Sequence, residues 1–564
     1  MTFAEYRYER PNAETFKQEM TRWIQQLAES ETLEGQTDAI ASINKLRSEL
    51  DTMATLASVR HSINTEDEFY KAEQDYFDET GPILEEYVTN YYRALVNSKF
   101  RGELEKQLGT QLFQIADISL RTFHPDVIEE LQTENKLSTE YSKLIATARI
   151  EFEGEKRTLP QLVPFEMSTD RDMRKRASEA RYGYMTEHEA ELDRLYDELV
   201  KVRTTIAKKL GYPSFVELGY DRMMRTDYNA AMVENFRKQV LEHIVPVANS
   251  LKERQAKRIG LDNLKYYDET INFTSGNAAP KGDPDWIVAN GRKMYAELSE
   301  ETNEFFSFMI DNGLIDLVSK PGKRGGGYCT FISEYKAPFV FSNFNGTSKD
   351  IDVLTHEMGH AFQVYSSRNL GIPEYAFPTY EACEIHSMSM EFITWPWMEL
   401  FFEEDADKYR FAHLADALEF IPYGVAVDEF QHLVYSHPEA TPDERKGFWR
   451  QVEKKYLPHR DFDGNAYLEQ GGFWQKQAHI YNSPFYYIDY TLAQLCAFQF
   501  WKKTRENRET AWADYLRVCK PGGSLSFLKL VELGGLKSPF EDGCIESVIG
   551  EISGWLNGVD DTAL

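Results

Sequence analysis

The sequence predicts a mainly α, multi-helical protein with one small β-sheet placed directly before a central helix. Three observations carry that reading. From Phe16 to about Leu210, apolar residues recur at spacings of three and four amid many Glu, Lys and Arg, with few Gly or Pro. Clear period-two alternation is confined to Ala337–Gly346, where Phe339, Phe341 and Asn343 alternate with Val340, Ser342 and Phe344. The stretch Thr347–Tyr365 that follows is amphipathic with a helical period.

Taken in order, Phe16–Glu29, Thr37–Ala57, Glu66–Asn97 and Thr186–Leu210 read as helices. Ile150–Leu162, with Glu153-Gly154 at its middle, reads as a short hairpin. The turn cluster Leu210-Gly-Tyr-Pro-Ser214 marks a boundary, and the chain divides into a helical region 1–110, a helical lobe 111–200 and a remainder 201–564. Helix continues to about Ile259, an irregular stretch covers residues 277–285, and a further helix runs from Pro284 to about Asn312. Strand-like sequence then fills Lys323–Ser333 and Ala337–Gly346. Read as an edge strand, Phe339, Val340, Phe341, Ser342 and Asn343 would hold an extended peptide by main-chain hydrogen bonds. The Gly325–Gly327 run lacks the GxxxxGK[ST] pattern and is not a phosphate loop.

Composition narrows the classes. With 564 residues, 42% hydrophobic and 13% aromatic, the chain can bury a large core. No apolar run of about eighteen residues occurs, so no membrane span is expected. The first residues lack the basic-then-apolar order of a secretion signal. Five cysteines (Cys329, Cys383, Cys496, Cys519, Cys544) form no CxxC pair, which fits a reduced, cytoplasmic setting. A formal charge of −29 speaks against nucleic acid as a partner and for solubility.

Chemistry concentrates in His356-Glu357-Met358-Gly359-His360. Thr347 and Ser348 can cap the helix start, with Asp350 in its first turn. Two histidines four residues apart leave one helix face and can hold one zinc ion, while Glu357 beside them can take a proton from water. Gln363 and Ser366 stand where the extended HExxHxxGxxH motif needs Gly and His, so that class is excluded. The third ligand must come from a later segment, and Glu374, Glu381 and Glu384 are the nearest candidates. Thr379–Phe392 reads as a second helix carrying Glu381, Glu384, Met388 and Glu391 on one face. Stacked acids repel unless a cation offsets them, and spacing favours the middle one, Glu384. Glu381, Glu391 and Asp352 can orient the histidines from behind, whereas His386 leaves the opposite side.

His356–His360 followed by Glu381-Ala-Cys-Glu384-Ile-His-Ser-Met-Ser-Met-Glu391 resembles the thimet-oligopeptidase-like zinc metallopeptidases, in the oligoendopeptidase F branch. The likeness extends to Leu210-Gly-Tyr-Pro-Ser-Phe215, Ala337–Asn345 and the region of His479. It implies Glu384 as third ligand, Glu357 as base, and an ellipsoidal helical body with one zinc ion at the bottom of a deep channel. Downstream, His479 is followed by Tyr481, Tyr486, Tyr487 and Tyr490. Pro484 is placed to start a helix, so that Tyr486 and Tyr490 would point the same way. The family pattern of a His followed by closely spaced tyrosines marks His479, Tyr486 and Tyr490 as donors to the oxyanion, with Tyr481 and Tyr487 in reserve. The expected function is a zinc endopeptidase, its catalytic domain within 201–564, acting on short unfolded peptides. The rivals are a zinc exopeptidase and a non-catalytic, helical peptide-binding protein.

Overall fold

The computed structural model describes residues 1–320 and 322–564, with all their side chains except those at 78, 82, 139, 142, 146 and 160. Helices dominate, as the spacing predicts. The first three are α1 (Ala13–Glu29), α2 (Leu33–Ile63) and α3 (Glu68–Val96). Side chains of Asn12, Thr32 and Asp67 cap their starts by accepting from Thr15, Gly35 and from Phe69 and Tyr70. Met20, Leu27, Ile40, Ile43, Tyr91 and Leu95 pack these helices around a core of their own, which Leu112 and Phe113 complete. Tyr375, from far along the chain, joins the same core.

The expected hairpin is two three-residue strands, β1 (Ile150–Phe152) and β2 (Glu155–Arg157), turned by Glu153 and Gly154 at positive φ. It stops there because a helix starts at Leu159. Next come α4 (Glu189–Lys209) and α5 (Phe215–Arg222), the latter capped by Ser214 at the predicted turn cluster. The helix expected from Pro284 to Asn312 is two helices, α6 (Pro284–Leu298) and α7 (Glu300–Asp311). Ser299 is extended and caps α7 through Thr302, so one residue breaks an otherwise continuous apolar period.

The second sheet has the order β3 (Ile315–Val318), β5 (Ala337–Phe344), β4 (Tyr328–Ile332). β3 runs parallel to β5, and β4 antiparallel, with Cys329 opposite Val340 and Thr330 opposite Phe339. β5 leads into α8 (Lys349–Ser367). The expected side-chain cap from Thr347 or Ser348 is absent there; instead the Asp350 carboxylate reaches back to accept from the N–H groups of Asn345 and Gly346 at 2.9 and 2.7 Å. α9 (Tyr380–Ile393) packs between α8 and α12 (Tyr487–Glu506), with α10 (Ala406–Ser436) against α12 and the short α11 (Ala478–Asn482) preceding it in the chain. Pro484 does not start α12: Phe485 adopts a left-handed backbone and Tyr486 occupies the cap.

Candidate metal centre

Gly359 explains how α8 and α9 come together. A Cβ there would lie 2.6 Å from the His386 carbonyl oxygen and 2.7 Å from Ser387 Cα, so only glycine lets the two backbones touch. The contact sets Glu384 opposite both histidines. Glu384 Oε2 lies 3.2 Å from His356 Nε2 and 3.5 Å from His360 Nε2. These three side chains have donor atoms within 4.8 Å of one another, and among the described residues no other His, Cys, Asp or Glu cluster does. Burial alone would raise the Glu384 carboxyl, but His360 and His356 beside it hold it well below the usual range. Two imidazole nitrogens and one carboxylate oxygen are the donor set of a catalytic zinc site with a position left for water, so the residues fit the ion.

A directional chain stands behind the cluster. His356 Nδ1 lies 2.7 Å from Glu391 Oε1, and Glu391 Oε2 lies 2.7 Å from His413 Nε2. Trp395 Nε1 donates to His413 Nδ1 at 3.1 Å, which leaves the His413 proton on Nε2, pointing at Glu391. Glu391 therefore accepts twice; burial opposes its charge, yet His356 and His413 bring its carboxyl down to about 2. With Nδ1 so engaged, His356 presents Nε2 toward Glu384 and His360. Sequence reasoning placed Glu391 here but missed His413 and Trp395, whose link to it is purely tertiary.

Two other expected supports are corrected. Asp352 accepts from Lys349 Nζ at 2.9 Å and from Tyr409 Oη at 2.7 Å, not from a histidine. Its contact with the centre is indirect, through the Tyr409 ring stacked on His413 at 5.4 Å. Glu381 is fully buried and accepts from neither histidine; burial and the nearby Asp489 raise its carboxyl above the usual range. One turn from Glu384, it faces Arg225 and Asp489 instead. Glu374 is also engaged elsewhere, by Arg47 at 2.7 Å and Tyr92 Oη at 2.6 Å. His386 is buried away from the cluster, with Nε2 3.3 Å from the Val518 carbonyl, and burial lowers it to about 4.

Cavities of about 580 and 730 Å³ adjoin at the centre: His356, Glu357 and Tyr490 line both, whereas His360 and Glu384 line only the smaller. Burial raises the Glu357 carboxyl despite His356 and His360 nearby, and its Oε2 has no hydrogen-bond partner. The Tyr486 hydroxyl donates to Glu384 Oε1 at 3.0 Å. Rings of Tyr486 and Tyr490 lie 5.0 Å apart, and the His479 ring lies 5.7 and 5.8 Å from them. Gln477 accepts from Tyr423 through its oxygen and places its nitrogen 2.8 Å from His479 Nδ1. That puts the His479 proton on Nε2 as a free donor, and burial keeps the ring neutral by lowering its pKa. Tyr487 lines the larger cavity, whereas Tyr481 is buried, stacked on Tyr141.

The proposed substrate strand is also corrected. β5 is paired on both sides, so Phe339–Asn343 form no edge, and Phe339, Val340, Phe341 and Ser342 are buried. Asn343 instead donates to the carbonyls of Arg324 and Gly326, both at 2.8 Å, and pins the glycine run. The edge facing the cleft is β4: Gly327, Tyr328 and Cys329 line the smaller cavity with His356 and Glu357. A Cβ on Gly327 would come within 3.5 Å of Glu357 Oε1. Sequence alternation identified both strands, but not which of them lies in the middle.

Comparison with known proteins agrees with this geometry. Residues 3–123 match the Peptidase M3 N-terminal domain and residues 291–548 match Peptidase family M3. The solved structure of PZ peptidase A with inhibitor 2 is 62% identical, covers 99% of this chain and 100% of its own, and superposes with a TM-score of 0.96. A provisionally named oligoendopeptidase F from Bacillus anthracis str. Ames is 59% identical, with 100% and 99% covered and a TM-score of 0.92. The oligoendopeptidase F homolog of Borreliella burgdorferi is 26% identical over 52% of this chain, and the match spans only 50% of that relative's length.

Proposed function

Because the chain belongs to peptidase family M3, with oligoendopeptidase F proteins among its relatives, we propose that it is a zinc-dependent endopeptidase of short, unfolded oligopeptides. The observation that carries the reading is that the cavity holding the three donors adjoins a second one through His356, Glu357 and Tyr490. A substrate crossing them extends past the centre in both directions, as cleavage of an internal bond requires; an exopeptidase closes one side around a terminus. His356, His360 and Glu384 would hold one zinc ion, which supplies Lewis acidity to polarise a carbonyl and acidify water.

The chain's own groups do the rest. Glu357, with a free oxygen and a raised pKa, accepts the proton of the attacking water and returns it to the leaving amine. Tyr486, Tyr490 and His479 present neutral donors to the oxygen that gains charge in the transition state. The free edge of β4 offers main-chain groups to an extended peptide, which tolerates varied side chains. As part of this proposal, residues 201–564 form the catalytic domain, 1–110 and 111–200 help enclose it, and the five free cysteines suit the cytoplasm. No helix among the described residues is long and apolar enough to cross a membrane.

The test is cleavage-site mapping on a peptide blocked at both termini, with and without a chelator, beside elemental analysis of the purified protein. Internal cuts that vanish with the chelator support the reading. A blocked peptide left intact while its unblocked counterpart is trimmed from the ends would favour the exopeptidase, and a protein with neither zinc nor chelator-sensitive hydrolysis would be a peptide-binding protein.

A further inference from the structure

Phe485, immediately before Tyr486, is one of the few non-glycine residues with a left-handed backbone, at φ 67°. Bulky L-residues keep that conformation only where their surroundings enforce it. Here three contacts do so. Arg225 Nη2 donates to the Phe485 carbonyl at 2.6 Å, and the Phe485 N–H donates to Gln431 Oε1 at 2.9 Å. The same Arg225 nitrogen bonds Asp489 Oδ1 at 2.6 Å, in an ion pair with no solvent exposure on either side chain. The Phe485 ring fills a socket of Phe215, Tyr220, His432 and Tyr435, at centroid distances of 6.2, 5.6, 5.1 and 5.6 Å. Gly219 on α5 makes room for it: a Cβ there would lie 2.5 Å from the ring. Phe485, Gly219, Arg225 and Gln431 line neither cavity. Its chain neighbour Tyr486 reaches the metal cluster through its bond to Glu384.

We propose that Phe485 is a positioning residue, its strained backbone clamped by Arg225, Gln431 and the Gly219 socket so that the Tyr486 hydroxyl is held beside Glu384, within the cavity where the reacting oxygen would sit. The inference rests on the endopeptidase reading for its kinetic consequence, but not for its structural one. Relaxing Phe485 to a right-handed or extended backbone swings Tyr486 away from Glu384, and no other cavity-lining residue needs to change for that to happen.

The test is Gly219→Ala, which pushes the ring from outside the cleft. Zinc content and KM should stay near wild type while kcat falls about ten- to a hundredfold, the scale of a misplaced donor. Added to Tyr486→Phe, the same change should cost nothing further, and Phe485→Leu in the Gly219→Ala protein should restore part of kcat. Gln431→Met, which removes the acceptor without touching the socket, should reproduce the kcat loss and serves if Gly219→Ala does not fold. Wild-type kcat in both variants, or losses that multiply with Tyr486→Phe, would overturn the proposal. A wild-type protein without chelator-sensitive hydrolysis would instead sink the endopeptidase reading. The clamp is then judged by fluorine NMR of fluorotyrosine-labelled protein: the signal assigned through Tyr486→Phe must shift in Gly219→Ala, and an unmoved signal refutes it.

Discussion

At the scale of single residues, the grouping of His356, His360 and Glu384 was legible because most of its spacing is local. His356, Glu357 and His360 share one helical turn, and Glu384 stood out by the crowding of acids around it. Asp352 and Glu381 were misjudged for the opposite reason: a helix face does not tell which nearby cation or hydroxyl will claim a carboxylate. Glu357→Gln keeps the side chain's volume and removes its basicity, so kcat should fall at least about a hundredfold with metal content intact; steady-state kinetics beside elemental analysis checks this. His459 gives a pH prediction independent of the centre. Burial, helped by Arg460 and Lys252 and opposed by Glu269, lowers it from 6.5 to about 4. The unfolded chain therefore binds its proton first, and stability is lost as pH falls from about 6.5 to 4. His459→Gln should remove about 2 kcal/mol of that loss, read from urea unfolding at pH 7 and pH 4.5.

At the scale of elements, the helical periods were recovered to within a few residues, and breaks hidden in single residues were not. Ser299 splits one expected helix and Phe485 delays another, since neither carries a strong breaker signal. Strand order was illegible for a similar reason. Alternation gives two faces to β5, but its neighbours are fixed by chain segments before and after it. Gly359 is the element-scale feature with the sharpest consequence. Gly359→Ala, though better suited to a helix, must part α8 from α9 by moving backbone, at a cost of about 1–3 kcal/mol. The expected outcome is a lower Tm together with weaker zinc binding by titration, whereas Gly102→Ala, at an open helical position, should alter neither.

At the scale of the whole molecule, the −29 charge and the many helices were plain from composition, while the linkage between distant regions was not. Glu374 lies just before α9 in the chain, yet its carboxylate is held by Arg47 on α2 and Tyr92 on α3. Tyr375 donates to the Leu108 carbonyl and sits in the amino-terminal core. Arg47→Met should leave Glu374 buried with the Tyr92 hydroxyl but no cation, lowering stability by about 3–5 kcal/mol and zinc affinity with it, measured by unfolding and by metal titration. The tie between Glu374 and Arg47 has an architectural corollary. The amino-terminal helices are no detachable appendage: a graft that exchanged them for those of a distant relative would have to bring both ends of that bond, or the acid-bearing helix would lose its mooring.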